Sequence, residues 1–225
     1  MSEHTLVTIG VVGGTGKEGA GLAARWARSG YRVVLGSRDA ARAQQKAEEL
    51  NAALGSAVIS GADNPSAVQQ ADIVVISVPY EAHAATLTGL KEALQGKIVV
   101  DITVPLEPPN IRSVNLPAGL SACLEAQTIL GADVRVVAAF QNVSYTHLQD
   151  SEHPVECDVL VCGDDATAKD EVIKLAEAAG MKGYDAGSLV NSIAVESLTP
   201  VIMYMNRKYK VKGVGIKVTG IEQAK

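Results

Sequence analysis

Aromatic side chains are scarce, at 4% of 225 residues with one Trp and one Phe. A core with so few rings must be built from Val, Ile, Leu and Ala. Those residues suit buried parallel strands flanked by alanine-rich helices. Cysteine is scarce too. Cys123, Cys157 and Cys162 make an odd count of 3, which argues against a full disulfide framework. Cys157 and Cys162 fall on what reads as one strand, where an odd spacing points them to opposite faces. All of them read as small buried apolar groups. There is no excess of positive charge: 20 Lys and Arg stand against 25 Asp and Glu, a net −5. That balance disfavours nucleic acid and anionic membranes as partners. No apolar run approaches the ~18–20 residues of a bilayer span. Met1 to Thr5 lacks the charged-then-apolar pattern of a secretory leader. These absences predict a cytoplasmic protein.

Metal and nucleophile signatures are missing as well. His147, His153 and Cys157 fit no familiar ligand spacing, so no metal site is expected. No G-x-S-x-G elbow is present. What remains is an ordinary globular composition, 47% hydrophobic and 20% charged.

The pattern along the chain alternates. Leu6 to Val12 is a short apolar run that ends in Gly13-Gly14. Lys17 to Ser29 reads as a helix stopped by Gly30. Tyr31 to Leu35 is a strand, and Asp39 can cap a helix from Ala40 to Leu54. Ala57 to Ser60 is a minor strand. Asp72 to Val78 is a strand closed by Pro79, followed by a helix from Glu81 to Leu94 and a strand from Lys97 to Ile102. A proline-punctuated loop, Val104 to Leu116, leads to a helix at Leu120 to Leu130 and a strand at Val134 to Ala139. Asp158 to Val161 reads as a strand and Ala166 to Ala179 as a helix. Leu189 to Arg207 is an apolar helical segment expected to kink at Thr199-Pro200. Such alternation predicts an α/β fold, a Rossmann-type doubly wound parallel sheet with a small mixed or helical C-terminal part. The polar stretch 149–154 suggests a division into residues 1–150 and 151–225.

Gly14-Thr15-Gly16-Lys17-Glu18-Gly19 fits G-x-G-x-x-G. The pattern is weak alone, but here it follows the first strand and opens the first helix. Gly14 allows the tight turn, Gly16 lets a pyrophosphate approach the backbone, and Gly19 lets helix and sheet pack closely. The helix N-terminus offers unpaired N–H groups to the phosphates. An NAD site usually has an acid about 20 positions on, at the tip of the second strand. This chain has Gly36-Ser37-Arg38 there, with Arg42 one helical turn beyond. A planar fork, a hydroxyl and a second cation suit the 2′-phosphate of NADP. Asp39 is the contrary residue, and its reading is the helix cap.

Val12 to Gly19 followed by Gly36-Ser37-Arg38 resembles the NADP-dependent oxidoreductases that use the deazaflavin coenzyme F420. The resemblance continues through Ser77 to Tyr80, Val161 to Asp165, Asp185 to Gly187, Asn191-Ser192 and Val195 to Pro200. It covers nearly the whole chain in order. It implies a Rossmann domain over residues 1–150. Residues 151–225 would complete the acceptor cleft and form a homodimer contact. It implies NADP(H) and coenzyme F420 as small-molecule partners. NADP would meet Gly14, Thr15, Gly16, Lys17 and Glu18 at the loop, and Ser37, Arg38 and Arg42 at the 2′-phosphate. Val78, Pro79, Ala82, Val104, Leu106 and Tyr145 match positions near the nicotinamide and its ribose, and Val214 matches a residue that closes over the site. Some members carry a histidine after the strand matching Val134 to Ala139. This chain has Gln141-Asn142, which can hydrogen-bond a ring but cannot relay a proton. Asn142, Ser144 and Tyr145 are candidates to orient the carboxamide or the acceptor.

No catalytic residue stands out, which suits ring-to-ring hydride transfer. Glu196 reads equally as a buried acid near the site or as an exposed helix position. Arg207 to Lys212 carries four cations, either a solvated helix end or an anchor for the phosphate and glutamates of an F420-type acceptor. The residues leave two other readings open. One is an NADPH-dependent reductase of the same fold acting on a flavin, quinone or imine. The other is a non-catalytic NADP-binding sensor.

Overall fold

The computed structural model describes residues 7–149, 153 and 155–221. His4, the expected strand start at Leu6, most of the polar stretch 149–154 and the last residues of the tail lie outside the described residues.

The first half alternates strand and helix: β1 Thr8–Val12, α1 Lys17–Arg28, β2 Arg32–Ser37, α2 Ala40–Leu54, β3 Ile59–Asp63 and α3 Asn64–Gln70. After these come β4 Ile73–Ile76, α4 Tyr80–Leu94, β5 Ile98–Asp101, α5 Ala122–Leu130 and β6 Arg135–Ala138. A short α6, Tyr145–Leu148, precedes β7 Asp158–Gly163, α7 Ala166–Ala178 and β8 Lys182–Asp185. A 3-10 turn at Leu189–Asn191 leads into the last helix, α8 Ser192–Tyr209.

The strands form one sheet in the order β3-β2-β1-β4-β5-β6-β7-β8. Neighbours pair in parallel except β6 and β7, which are antiparallel. The chain winds outward from β1 to β3, then crosses to β4 and winds the other way. The crevice above the C-terminal ends of β1 and β4 is therefore the switch point where such sheets bind ligands.

Successive strand residues point to opposite faces. Val11, Val75, Val100 and Val137 pack with α1, α2 and α7 on one side. Val12, Val74, Val99 and Val136 pack with α3, α4 and α5 on the other. The few rings are used economically: Trp26 meets Phe140 edge-on at 5.9 Å and donates its indole N–H to the Leu175 carbonyl oxygen at 2.9 Å. Buried Arg25 donates to the carbonyl oxygens of Ala179 and His147, each at 2.8 Å, tying α1 to the C-terminal third. The cysteines are free and buried, Cys157 just before β7 on one face and Cys162 in β7 on the other. Among the described residues no helix is long and apolar enough to cross a membrane.

Several boundaries differ from the sequence reading. The third strand is Ile59–Asp63 rather than Ala57 to Ser60. The fifth helix starts at Ala122, because Ser121 caps it and Leu120 has φ 72°. Most visibly, α8 runs through Pro200 without a break. Proline removes one intrahelical bond, and bonds at Val195, Glu196 and Thr199 hold the turn before it to neighbouring elements.

Candidate active site

The turn after β1 is built by glycines whose roles differ in part from expectation. Gly13, not Gly14, adopts the left-handed conformation, with φ +76°, and a Cβ there would lie 2.5 Å from the Ser77 carbonyl oxygen. Gly14 is required by packing, since a Cβ would meet the Val11 carbonyl oxygen at 2.8 Å and Leu35 at 2.9 Å. Gly16 borders a large cavity, and a Cβ added there would find only the Gly13 carbonyl oxygen, at 3.4 Å. Its open side therefore leaves room for a ligand against the backbone, while α1 starts directly behind it.

That cavity has a volume of about 930 Å³, at the upper end for small-molecule and cofactor sites. Gly16, Lys17 and Glu18 border it at the loop. Val78 and Pro79, which leave the tip of β4, form one apolar wall, and Val104 and Leu106, beyond β5, form another. Asn142 and Tyr145 stand at the back. The cover is α8, through Thr199, Ile202, Met203 and Asn206, with Val214 from the tail. Ala82 lies in the first turn of α4, its N–H bonded to the Pro79 carbonyl oxygen, and does not reach the lining.

Gly14 and Thr15 form the turn itself, and the Gly14 N–H donates to the Gly36 carbonyl oxygen at 3.0 Å. This bond sets the tip of β2 beside the loop. Ser37 is buried there, and Arg38 and Arg42 are exposed, their guanidinium groups without a hydrogen bond or ion pair to other described residues. Asp39 caps α2, its Oδ1 accepting from the N–H groups of Ala41 and Arg42 at 3.0 and 3.3 Å.

The polar groups of the back wall are mostly committed. Asn142 Nδ2 donates to the Val195 carbonyl oxygen at 2.9 Å and to Thr199 Oγ1 at 3.1 Å. Thr199 in turn donates to the Gln141 carbonyl oxygen at 2.8 Å. These three bonds fasten α8 over the cavity. Tyr145 is partly exposed, and Lys17 Nζ sits 4.7 Å from its ring centroid, an attractive cation–π contact between the glycine loop and α6. The tail is held by the Val214 N–H on Asn206 Oδ1 at 3.0 Å and by the bond between His147 Nε2 and the Gly213 carbonyl oxygen at 2.6 Å.

Glu196 is a buried bolt, 2% exposed, and does not reach the cavity. Its carboxylate accepts from the N–H groups of Ala122 and Cys123 at 2.7 and 3.1 Å, joining α8 to the N-terminus of α5. Burial pushes its pKa up to about 7 despite those bonds. Glu18, open to the cavity lumen but crowded by its walls, is also pushed up to about 7 by the loss of solvent.

Sequence reasoning missed a second polar group beneath the walls. His83 Nε2 and Asp101 Oδ2 lie 2.6 Å apart, both buried. Burial would lower the His83 pKa, but the charge and hydrogen bond of Asp101, with smaller help from Glu125 and Glu196, raise it on balance. Tyr80 stacks on His83 and donates to Glu125 at 2.8 Å; burial and then Glu125 push its pKa up to about 12. The available signal was Asp101, the one charge closing the apolar strand Ile98–Asp101 at the end where ligands bind.

A loop open to phosphates, two apolar walls and a helical cover can hold two flat rings face to face. Among the described residues no group of three or more His, Cys, Asp or Glu could hold a metal ion. A family model described as NADP oxidoreductase, coenzyme F420-dependent, matches residues 8–105. The chain is 42% identical over 224 residues to the F420-dependent NADP reductase of Methanocaldococcus jannaschii, covering 95% of this chain and 99% of that one. The chain belongs to this family. The F420-dependent NADP reductase of Methanothermobacter marburgensis is 36% identical over 222 residues, 96% of this chain and 99% of the relative. Among solved structures, a candidate F420-dependent NADP reductase from Arthrobacter sp. FB24 matches with a TM-score of 0.80 at 25% identity, covering 95% of this chain and all of that one. Family membership accounts for the Rossmann-type sheet and for similarity that continues past the nucleotide half into α8.

Proposed function

We propose that this protein transfers hydride reversibly between NADP(H) and coenzyme F420. The observation that carries the reading is the single cavity in which the glycine loop, the apolar walls and α8 meet. In this reading Gly14, Thr15, Gly16, Lys17 and Glu18 surround the pyrophosphate, whose charge the N-terminus of α1 favours. Ser37, Arg38 and Arg42 take the 2′-phosphate; the exposed guanidinium groups of Arg38 and Arg42 have no partner among the described residues, which supports that role, and the Ser37 hydroxyl, which accepts from the Asp39 N–H at 3.2 Å, keeps its proton to donate. Val78 and Pro79, with Ala82 in the helical turn behind them, lie to one side of the nicotinamide, with Val104 and Leu106 opposite. Asn142, Tyr145 and Val214 close the site.

The nucleotide supplies or accepts hydride at nicotinamide C4, and the deazaflavin does so at a ring carbon. The chain must hold those carbons about 3–3.5 Å apart and exclude water. The apolar walls and the covering helix suit both tasks, and no side chain is assigned a proton-transfer step.

Residues 1–150 act as the NADP-binding domain and residues 151–225 complete the acceptor side and carry the dimer contact. A homodimer is supported by the outer face of α8, where Leu198, Val201, Tyr204, Met205 and Tyr209 are exposed at helical spacing. The buried free thiols support a reducing, cytoplasmic setting. The net charge of −5 speaks against nucleic acid as a partner.

The test is to mix the protein with NADPH and purified F420 and follow both absorbances. Matched loss of the two supports the reading. No turnover with F420, but turnover with a flavin, quinone or imine, overturns it.

A further inference from the structure

Asp101 ends β5 with its carboxylate fully buried, at 0% exposure. A carboxylate taken out of water persists only when its oxygens are paired. Oδ2 meets His83 Nε2 at 2.6 Å, and Oδ1 accepts from the Thr103 N–H at 3.0 Å. The Asp101 carbonyl oxygen accepts from Gln141 Nε2 at 2.8 Å.

These partners belong to different walls of the cavity. His83 lies in the first turn of α4, directly after Val78 and Pro79. Thr103 precedes Val104 and Leu106, and its hydroxyl reaches the Val78 carbonyl oxygen at 3.4 Å. Gln141 is part of the back wall. Neither His83 nor Asp101 borders the cavity. His83 Nδ1 is buried without a partner, so the polar hold on this ring comes from Asp101. Two well-packed apolar side chains would serve stability as well as a buried ionisable pair. The directional bonds instead fix the walls relative to one another.

We propose that His83 and Asp101 form a positioning pair that sets the gap between the Val78–Pro79 wall and the Val104–Leu106 wall, and so the alignment of the nicotinamide. The pair touches neither ring and acts through the residues that do. This deepens the hydride-transfer reading and rests on it. A displacement of about 1 Å at such a site can cost about a hundredfold in rate, whereas phosphate contacts lie elsewhere and should hold the nucleotide.

The experiment compares full-length wild type with His83→Leu and His83→Gln; glutamine retains an N–H for Asp101. Three quantities are measured: the NADPH dissociation constant, the fluorescence lifetime of bound NADPH, and the single-turnover rate of hydride transfer to F420. His83→Leu should leave the dissociation constant within about threefold, shorten the lifetime and slow transfer by about thirtyfold or more. His83→Gln should recover most of the lifetime and the rate. Wild-type lifetime and rate in a folded His83→Leu protein would overturn the proposal. So would equal impairment in both variants, or loss of nucleotide affinity in step with rate, because each marks a merely structural role. Should His83→Leu fail to fold, Asp101→Ala, which removes the acceptor that holds the His83 ring, takes its place, with the same expected shifts and the same contrary results. Failure of the wild type to reduce F420 would count against the functional reading alone, since the lifetime needs no acceptor.

Discussion

Arg38, just past β2, and Arg42, in the first turn of α2, carry free guanidinium groups beside a loop that leaves its backbone open. A hydrogen bond to a charged group contributes ~1.5–3 kcal/mol. Arg38→Ala should therefore weaken NADPH about tenfold to a hundredfold and leave NADH, which lacks the 2′-phosphate, little changed. Titration of wild type and variant with both nucleotides checks this. Equal affinities for NADH and NADPH in the wild type would contradict it. Glu196 yields a second expectation at this scale. Its folded pKa of about 7 exceeds the ordinary 4.5, so the native state binds more protons than the unfolded chain between those values. Stability from this group is complete below about pH 4.5 and falls as pH rises through about 7. The loss should reach about 3 kcal/mol. Denaturant melts of wild type and Glu196→Gln across that window should show a difference that changes with pH in this direction, and a constant difference would refute it. The loop glycines were legible in sequence because the turn they build is local. The His83–Asp101 pair was not, because it depends on where α4 starts relative to the end of β5.

Helix α8 divides its surface among three tasks. Ser192, Val195 and Glu196 face the α5 and β6 side, with Ser192 bonded to Ser121 at 2.8 Å. Thr199, Ile202, Met203 and Asn206 face the cavity. Leu198, Val201, Tyr204 and Met205 face outward. Val201→Asp should shift a dimer toward monomer in sedimentation or light scattering, and an unchanged mass would reject α8 as the contact. The basic run 207–212 follows directly on Asn206 at the cavity, and all of it is exposed. Replacing Lys208, Lys210 and Lys212 with Gln should raise the Michaelis constant for F420 about fivefold and flatten its salt dependence, with NADPH affinity nearly unchanged. Acceptor kinetics unchanged across salt would leave the run as a solvated helix end. The helix was legible from its apolar pattern, but its passage through Pro200 was not, because tertiary bonds at Val195, Glu196 and Thr199 stabilise it. Other elements escaped for local reasons. β8 reads Lys182-Gly-Tyr-Asp185 and lacks an apolar signature. α3 opens on Asn64-Pro65, where proline is tolerated only because it lies in the first turn. α6 is a single turn.

Across the molecule, alternating strands and helices made the doubly wound sheet legible, and the glycine loop after β1 marked one edge of the cavity. The antiparallel entry of β7 had no such signal, and the return of the tail over the cavity was expected only from the resemblance at Val214. They depend on contacts far apart in sequence, such as the Asp158 N–H on the Ile216 carbonyl oxygen at 2.8 Å and the Val218 N–H on Asp158 Oδ2 at 2.7 Å. Those contacts bring Val214 and α8 over a cavity walled by Val78, Pro79, Val104 and Leu106, a shape suited to direct ring-to-ring transfer. The decisive measurement uses NADPH deuterated at the transferring C4 position, with F420 and no added flavin or metal. The account predicts deuterium on the reduced deazaflavin carbon and none in solvent. Label washed into water, or turnover only after a flavin is added, would contradict direct transfer.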